Sequence, residues 1–239
     1  MNINDRHLAE KIMIALDYAS PAEAEKLLAR LNGFPCYMKV GMQLFYAAGP
    51  AFVERLKDAG YRVFLDLKLH DIPNTVKGAS ASVAKLGVDM FNVHASGGVR
   101  MMEAAKEGAA QAGANPIIIA VTQLTSTTQA VMNEQIGIPG KVEDCVLHYA
   151  KQANEAGLNG IVASPREVKM VKQQLGSSFI TVTPGIRPTW AAKGDQARIM
   201  TPVDALNEGT DFLVIGRAIT SADDPAKAME RIIKEMSEA

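Results

Sequence analysis

The feature that most constrains the fold is a regular alternation of short apolar runs with longer segments of helical periodicity. The apolar runs predict eight β-strands, at residues 12–16, 37–40, 63–69, 90–93, 116–122, 160–163, 179–182 and 212–215. The periodic segments predict helices at residues 21–31, 50–59, 73–86, 99–112, 141–156, 166–175, 201–207 and 225–236. Strands that alternate with helices form a parallel sheet covered by helices, and strands that are almost continuously apolar are typical of burial on both faces. Eight such units in a chain of this length predict an α/β fold of the (β/α)8 TIM-barrel type.

The alternation runs on without a linker, a low-complexity segment or a shift in composition. We therefore expect residues 1–239 to form a single barrel domain. The alternative is a doubly wound open sheet, which usually contains fewer strands. Residues 17–21, which follow the first strand, lack the glycines of a dinucleotide-binding turn, and this weakens that alternative.

Composition excludes several other classes of protein. Hydrophobic residues make up 48% of the chain and charged residues 21%, which is typical of an ordinary folded domain and not of a disordered one. A net charge of −1 argues against a general attraction to nucleic acid or to an anionic membrane. Cys36 and Cys145 have no metal-binding or redox spacing, and no apolar signal or membrane-spanning run is visible. We expect a cytoplasmic protein with reduced cysteines.

The third predicted strand carries charges on an element that otherwise looks buried. Because side chains alternate along a strand, Phe64, Asp66, Lys68 and His70 should share one face. A buried charge is costly unless it is paired, so Asp66 and Lys68 form either a structural ion pair or a catalytic carboxylate and ammonium. Asp71 follows at once, and by itself it would be explained as the N-cap of the next helix. Three charges of alternating sign in six residues are more than a cap requires.

Polar residues gather where the predicted strands end, which is the end of a barrel that carries the active site. They are Asp17, Lys39, Asp66, Lys68, His94, Thr125, Ser126, Arg187, Gln196, Gly216 and Arg217. Each has an ordinary alternative: Asp17 as a helix-capping residue, Lys39 as a side chain reaching solvent, and His94 as a residue of the barrel wall. Their convergence on one end is the argument for a site, and it depends on the barrel prediction.

The loops after the last two strands have the composition of a phosphate site. They contain a Pro-Gly-Ile-Arg run at residues 184–187 and the pair Gly216-Arg217. Glycine allows the backbone to approach an anion closely, and arginine offers a two-pronged donor. Such loops hold phosphate in many barrels, although turn glycines beside surface arginines would leave the same pattern. If these loops bind phosphate and the charges of the third strand act on the substrate, the substrate is phosphorylated and spans the barrel mouth.

Over essentially its whole length the chain resembles the orotidine 5′-monophosphate decarboxylase family. The resemblance is carried by the run from Asp66 to Thr75, which reads D-L-K-L-H-D-I-P-N-T. The D-x-K-x-x-D part alone would also suit related sugar-phosphate decarboxylases and synthases, but the Ile-Pro-Asn-Thr continuation narrows the match. The other matching positions, in order along the chain, are Asp17, Lys39, Thr125, Arg187, Gln196, Gly216 and Arg217. None of these positions departs from the family pattern.

The resemblance implies decarboxylation of orotidine 5′-monophosphate to uridine 5′-monophosphate without a metal or an organic cofactor. It implies a homodimer in which Asp71 and Thr75 enter the partner's site, where Asp71 forms an alternating charge network with Lys39, Asp66 and Lys68. The implied binding roles are ribose hydroxyls for Asp17 and Lys39, the pyrimidine edge for Thr125, and phosphate for Arg187, Gln196, Gly216 and Arg217. Lys68 would be the cation and proton donor. A sugar-phosphate decarboxylase or synthase on the same barrel, or a barrel that binds a nucleotide without chemistry, stays open as an alternative.

Overall fold

Eight parallel strands close into a barrel in which each strand pairs with its neighbour in sequence and β8 pairs with β1. The computed structural model describes residues 2–31, 33–191 and 199–238. The strands are β1 Ile12–Ala15, β2 Tyr37–Gly41, β3 Arg62–Leu69, β4 Met90–His94, β5 Ile117–Val121, β6 Gly160–Val162, β7 Ile180–Thr183 and β8 Phe212–Ile215. Each lies within one or two residues of its predicted position. The prediction of a (β/α)8 barrel is therefore confirmed.

Helices cover the outside of the barrel. They are α1 Ile3–Glu10, α2 Pro21–Arg30, α3 Met42–Ala48, α4 Pro50–Asp58, α5 Pro73–Lys85, α6 Val99–Gln111, α7 Val142–Glu155, α8 Pro165–Leu175, α9 Pro202–Asn207, α10 Arg217–Thr220 and α11 Pro225–Met236. Within the described ranges, none of them is long and apolar enough to cross a bilayer.

Three of these helices were not predicted, and each lacks the amphipathic stripe on which such a prediction depends. Half of the residues of α1 are exposed, and the Asn2 side chain caps the helix by accepting the Asp5 amide at 2.8 Å. Helix α3 follows β2 directly and buries only Leu44. Helix α10 is a single turn of four residues.

Helices α2 and α5 start at Pro21 and Pro73 as predicted, but only α2 has a side-chain cap. Ser20 caps α2 as expected, since its hydroxyl accepts the Glu23 amide at 3.4 Å. The ordinary explanation of Asp71, as the N-cap of α5, does not hold. Ile72 holds the N-cap position, and the Asp71 carboxylate accepts only the adjacent Ile72 amide, at 2.7 Å. The chain enters α5 through Pro73, whose fixed φ suits the first turn, so the helix starts without a side-chain cap.

The apolar core has two layers. A larger layer fills the space between strands and helices, and a smaller one fills the barrel. The inner layer consists of Met13, Ala15, Tyr37, Phe64, Met90, Ile119, Val182 and Val214. These side chains plug the amino end of the barrel, so the polar residues at the carboxyl ends of the strands stand on an apolar floor.

A repeated device ties the strands together at the amino end. Just before β4, β6 and β8, a side-chain oxygen accepts the backbone amide of a residue on the preceding strand. The pairs are Asp89 with Val63 at 2.7 Å, Asn159 with Ile118 at 2.8 Å, and Asp211 with Thr181 at 2.7 Å. Lysines from the outer helices neutralise the two carboxylates: Lys57 lies 2.5 Å from Asp89, and Lys172 lies 2.6 Å from Asp211.

Replacing Asp211 with alanine should lower the free energy of unfolding by about 2–4 kcal/mol, because the Thr181 amide loses its acceptor and Lys172 loses its counter-charge. Urea denaturation followed by circular dichroism measures the change. Glu25→Ala is the matched control, since its ion pair with Arg55 is more than half exposed and should contribute about 0–1 kcal/mol. Equal effects of the two substitutions would contradict a clamping role for Asp211.

Candidate active site

The carboxyl ends of the strands surround a cavity of about 620 Å³, a size typical of small-molecule sites. Nine of the residues predicted from the sequence line it: Asp17, Lys39, Asp66, Lys68, Thr125, Ser126, Arg187, Gly216 and Arg217. Strands that are far apart in the chain bring them to one end of the barrel. The structure therefore has these polar residues together at the carboxyl end of the barrel, where the sequence predicts them.

Four of these side chains form a continuous row of alternating charge. The Lys39 ammonium on β2 lies 3.2 Å from Asp17 Oδ1 and 3.3 Å from Asp66 Oδ2. The other Asp66 oxygen, Oδ1, lies 2.6 Å from the Lys68 ammonium. The row therefore runs Asp17, Lys39, Asp66, Lys68, and Asp66 is held between two cations.

The two central side chains of the row, Lys39 and Asp66, are more buried than Asp17 at its end. The side chain of Asp17 is 63% exposed, whereas those of Asp66 and Lys39 are 14% and 9% exposed. Burial disfavours the charged form of Lys39, but the carboxylates of Asp66 and Asp17 outweigh it and raise the pKa of the Lys39 ammonium. Burial also works against the Asp66 carboxylate, yet Lys39, Lys68 and a hydrogen bond from Asn92 hold the pKa of Asp66 below its usual range.

These shifts fix the pH range over which the pairing supports the fold. The Asp66 contribution is present above the unfolded pKa of about 3.9 and is lost as the pH falls through the lower, folded pKa. The Lys39 contribution is present below the unfolded pKa of about 10.4 and is lost as the pH rises through the higher, folded pKa. Both groups are therefore charged, and both contributions are present, throughout the neutral range.

Strand β3 is not regular where it carries the charges. Leu65 pairs with Phe91 and Leu69 pairs with Val93, so three residues of β3 stand opposite one residue of β4. Within this bulge Lys68 has φ 55°, the one positive φ outside glycine in the described ranges. That conformation costs about 1–2 kcal/mol, and such strain is characteristic of functional sites. Phe64, Asp66 and Lys68 line the cavity together, as alternation along β3 predicts, whereas His70 beyond the bulge does not line it. The bulge turns Lys68 towards Asp66.

Sequence reasoning missed two residues that shape this row. Asn92 on β4 stands opposite the bulge and bonds to both Asp66 and Lys68. Its signal was a lone amide within the apolar run of β4. Gly41 ends β2, and a Cβ there would lie 3.3 Å from Asp17 Oδ1 and 3.4 Å from Lys39 Nζ, so a side chain would crowd that ion pair.

The two arginines follow β7 and β8, on the wall across the barrel from Asp66 and Lys68. Strands β3 and β7 are four positions apart in the eight-stranded barrel and so face each other across its mouth. After β7, Gly185 has φ 83°, and its carbonyl accepts the Met200 amide at 3.2 Å. The amide of Arg187 in turn donates to the Met200 carbonyl at 2.9 Å, which fixes the backbone that carries this buried arginine. Gly216 is the N-cap of α10, where Arg217 is the first residue.

Three predicted or considered residues are not part of the cavity lining. Asp71 and Thr75 are exposed at the start of α5. The ring of His94 is half-buried and lies 5.5 Å from that of His70; burial first, then His70 and Lys68, lower the pKa of His94. Gln196 lies outside the described residues. Among the residues that are described, no group of three histidine, cysteine or acidic side chains is placed to hold a metal ion.

The fold and the site together define a class of protein, a (β/α)8-barrel enzyme. The fold is a closed parallel barrel, and its cavity is lined by the row of alternating charge and by two arginines. Comparison with known proteins gives the family. A family model described as "Orotidine 5'-phosphate decarboxylase / HUMPS family" matches residues 10–232, and the chain belongs to that family.

Individual relatives agree with this assignment. The chain is 52% identical over 230 residues to the orotidine 5′-phosphate decarboxylase of Streptococcus pneumoniae strain ATCC 700669, covering 95% of this chain and 96% of the relative. It is 49% identical to the enzyme of that name from Moorella thermoacetica, covering 96% and 93%. The crystal structure of orotidine 5′-phosphate decarboxylase from Lactobacillus acidophilus matches with a TM-score of 0.85 and 40% identity, covering 95% of this chain and 99% of that one.

Proposed function

We propose that this protein decarboxylates orotidine 5′-monophosphate to uridine 5′-monophosphate, the last step of de novo pyrimidine nucleotide synthesis. The observation that carries the proposal is the row of alternating charge in a chain of this family: Lys39, Asp66 and Lys68 are in contact in the lining of the cavity. Binding a nucleotide would not require a carboxylate held between two ammonium groups, whereas a reaction that develops charge on a carbon atom requires fixed charges of this kind.

The chemistry explains why fixed charges suffice. When the bond between C6 of the pyrimidine and its carboxylate breaks, the electron pair stays on C6 as a vinyl-type carbanion with no adjacent electron sink. Preorganised charge in a site with little water can stabilise such an anion. Lys68 supplies the nearby cation and then transfers a proton from Nζ to C6, which leaves carbon dioxide, the new C–H bond and a neutral amine that solvent reprotonates. In this proposal no cofactor takes part.

Asp66 has two roles in the proposed mechanism. Its carboxylate keeps the Lys68 ammonium in place at 2.6 Å. It would also lie next to the carboxylate of the bound substrate, so the two negative charges repel each other and the repulsion is relieved as carbon dioxide leaves. Lys39, locked between Asp17 and Asp66, would hold ribose hydroxyls together with Asp17.

The rest of the substrate would extend across the barrel mouth. Thr125 would contact the pyrimidine edge, and Arg187, Arg217 and the backbone at Gly216 would hold the phosphate on the facing wall. Gln196 is assigned to the phosphate by resemblance alone. Binding energy from this remote phosphate would be used at the reacting ring.

We also propose that residues 1–239 form one domain and that the protein works as a cytoplasmic homodimer. Asp71 and Thr75 are exposed just after β3, and Ile72 between them is an apolar side chain that is 67% exposed. A second subunit packed on this segment would cover Ile72 and receive Asp71 and Thr75 into its own site.

The direct test is an assay of the purified protein with orotidine 5′-monophosphate in the presence of a chelator, following the loss of the orotate absorbance. We expect complete conversion to uridine 5′-monophosphate and carbon dioxide, with no effect of the chelator. A keto-sugar phosphate with added magnesium is the matched alternative substrate. Turnover of that substrate alone, or tight binding of uridine 5′-monophosphate without any turnover, would overturn the proposal.

A further inference from the structure

Asn92 makes a pair of hydrogen bonds that joins the two central groups of the charge row. Its side chain is buried, with the residue 1% exposed, in the middle of β4. Asn92 Oδ1 accepts the backbone amide of Lys68 at 2.8 Å, and Asn92 Nδ2 donates to Asp66 Oδ1 at 2.7 Å. The orientation of the amide is fixed by chemistry, because a backbone N–H can only donate and an ionised carboxylate can only accept.

The first of these bonds belongs to the bulge in β3. In a regular parallel ladder the Lys68 amide would find a carbonyl on β4. Here the register jumps from the Leu65–Phe91 pair to the Leu69–Val93 pair, and the Asn92 side chain takes the place of the missing carbonyl. The bond thereby supports the left-handed backbone of Lys68, from which the ammonium turns back towards Asp66.

The second hydrogen bond, from Asn92 to Asp66, is not needed to stabilise the bulge. Asn159, at the other end of the barrel, also accepts a strand amide through Oδ1, and there the single bond to Ile118 suffices. Asn92 Nδ2 instead reaches Asp66 Oδ1, the same oxygen that accepts the Lys68 ammonium. With Lys39 on Oδ2, the Asp66 carboxylate is held on both oxygens and cannot rotate away from a neighbouring negative charge.

We propose that Asn92 is a positioning residue for the decarboxylation: its carboxamide holds the Lys68 backbone and the Asp66 carboxylate in one fixed arrangement. This inference rests on the proposed function, since it assigns Asn92 the task of keeping Asp66 and Lys68 in register with the reacting carbon. Asn92 does not line the cavity, so it acts through those two residues.

The test compares Asn92→Ala and Asn92→Asp with Asn159→Ala, the matched control that removes a similar amide acceptor away from the site. A small misplacement of reacting groups can cost about 10²-fold in rate, so we expect kcat to fall about 10²-fold in both Asn92 variants. The affinity for uridine 5′-monophosphate should stay within about threefold, because contacts to ribose and phosphate are retained. Asn159→Ala should lower stability and leave kcat unchanged.

The pH profile separates positioning from simple loss of structure. Asn92→Asp keeps the acceptor for Lys68 but places a second carboxylate against Asp66, which Lys39 and Lys68 also face. Like charges disfavour ionisation, so the acidic limb of the kcat profile should move to higher pH. An unchanged profile in a folded variant, a kcat within threefold of wild type, or a loss of kcat that only follows the folded fraction would overturn the inference.

One further measurement does not depend on turnover. Hydrogen exchange of the Lys68 amide, followed by NMR, should be slow in the wild-type protein and at least about tenfold faster in Asn92→Ala. Fast exchange in the wild type would overturn the inference, even if the alanine variant does not fold. Wild-type turnover reports on the proposed function, whereas the ratio of variant to wild type and the amide exchange report on Asn92.

Discussion

Replacing Lys68 with alanine should lower kcat for orotidine 5′-monophosphate by about 10⁵-fold, the largest loss expected for any single substitution in this chain. The estimate combines two effects. Removing one preorganised electrostatic contact to a developing anion costs about 10²–10³-fold, and removing a positioned proton donor costs about 10²–10⁴-fold. Both effects fall on Lys68, because its ammonium is the end of the charge row and lies 2.6 Å from Asp66.

The chain offers a matched control for this substitution. Lys172 is also a partly buried lysine paired with an aspartate at 2.6 Å, but its partner is Asp211 at the amino end of the barrel. Lys172→Ala should therefore reduce stability and leave kcat within about twofold in the folded protein. Single-turnover kinetics would distinguish loss of chemistry from loss of binding. Near-full turnover in Lys68→Ala, or equal loss in both variants, would refute the role of Lys68.

How far the sequence predicts this molecule depends on the kind of interaction. The barrel follows from hydrophobic periodicity, which is a local property that a single sequence displays directly. The position of the site follows from it, because the carboxyl ends of all strands meet at one rim. Lys39, Asp66 and Lys68 could therefore be placed near one another before any contact was known.

What the sequence does not display is any feature that depends on the pairing of two strands. The bulge in β3 arises because β4 supplies Asn92 opposite it, and neither strand alone signals a change of register. Periodicity along β3 predicts the shared face of Phe64, Asp66 and Lys68, but it does not predict the left-handed backbone at Lys68. Helix α5 starts at Pro73 as predicted, and only its cap differs: Asp71 is a good N-cap by type, but Ile72 holds the N-cap position before Pro73.

The position of Asp71 leads to the second large effect. Its carboxylate accepts the Ile72 amide at 2.7 Å, and in the described part of the chain it makes no ion pair with Lys39 or Lys68. If Asp71 acts in the partner's site, each site takes Lys68 from one chain and Asp71 from the other. Lys68→Ala and Asp71→Ala homodimers would then both be inactive, while a hybrid dimer would contain one intact site.

Mixing equal amounts of the two inactive variants should restore about a quarter of the wild-type activity, since half of the dimers are hybrids and each has one working site of two. Starting from two nearly inactive proteins, this is a gain of several orders of magnitude. Native mass spectrometry of mass-tagged chains measures how far the subunits have exchanged.

The matched control mixes Lys68→Ala with Asp66→Ala. Both residues belong to the same subunit's site, in contact at 2.6 Å, so their hybrid has no intact site and should stay inactive. Recovery of activity in both mixtures would indicate contamination or reversion. If neither mixture recovers activity after complete subunit exchange, Asp71 acts in the site of its own subunit and the proposal of a shared site is wrong.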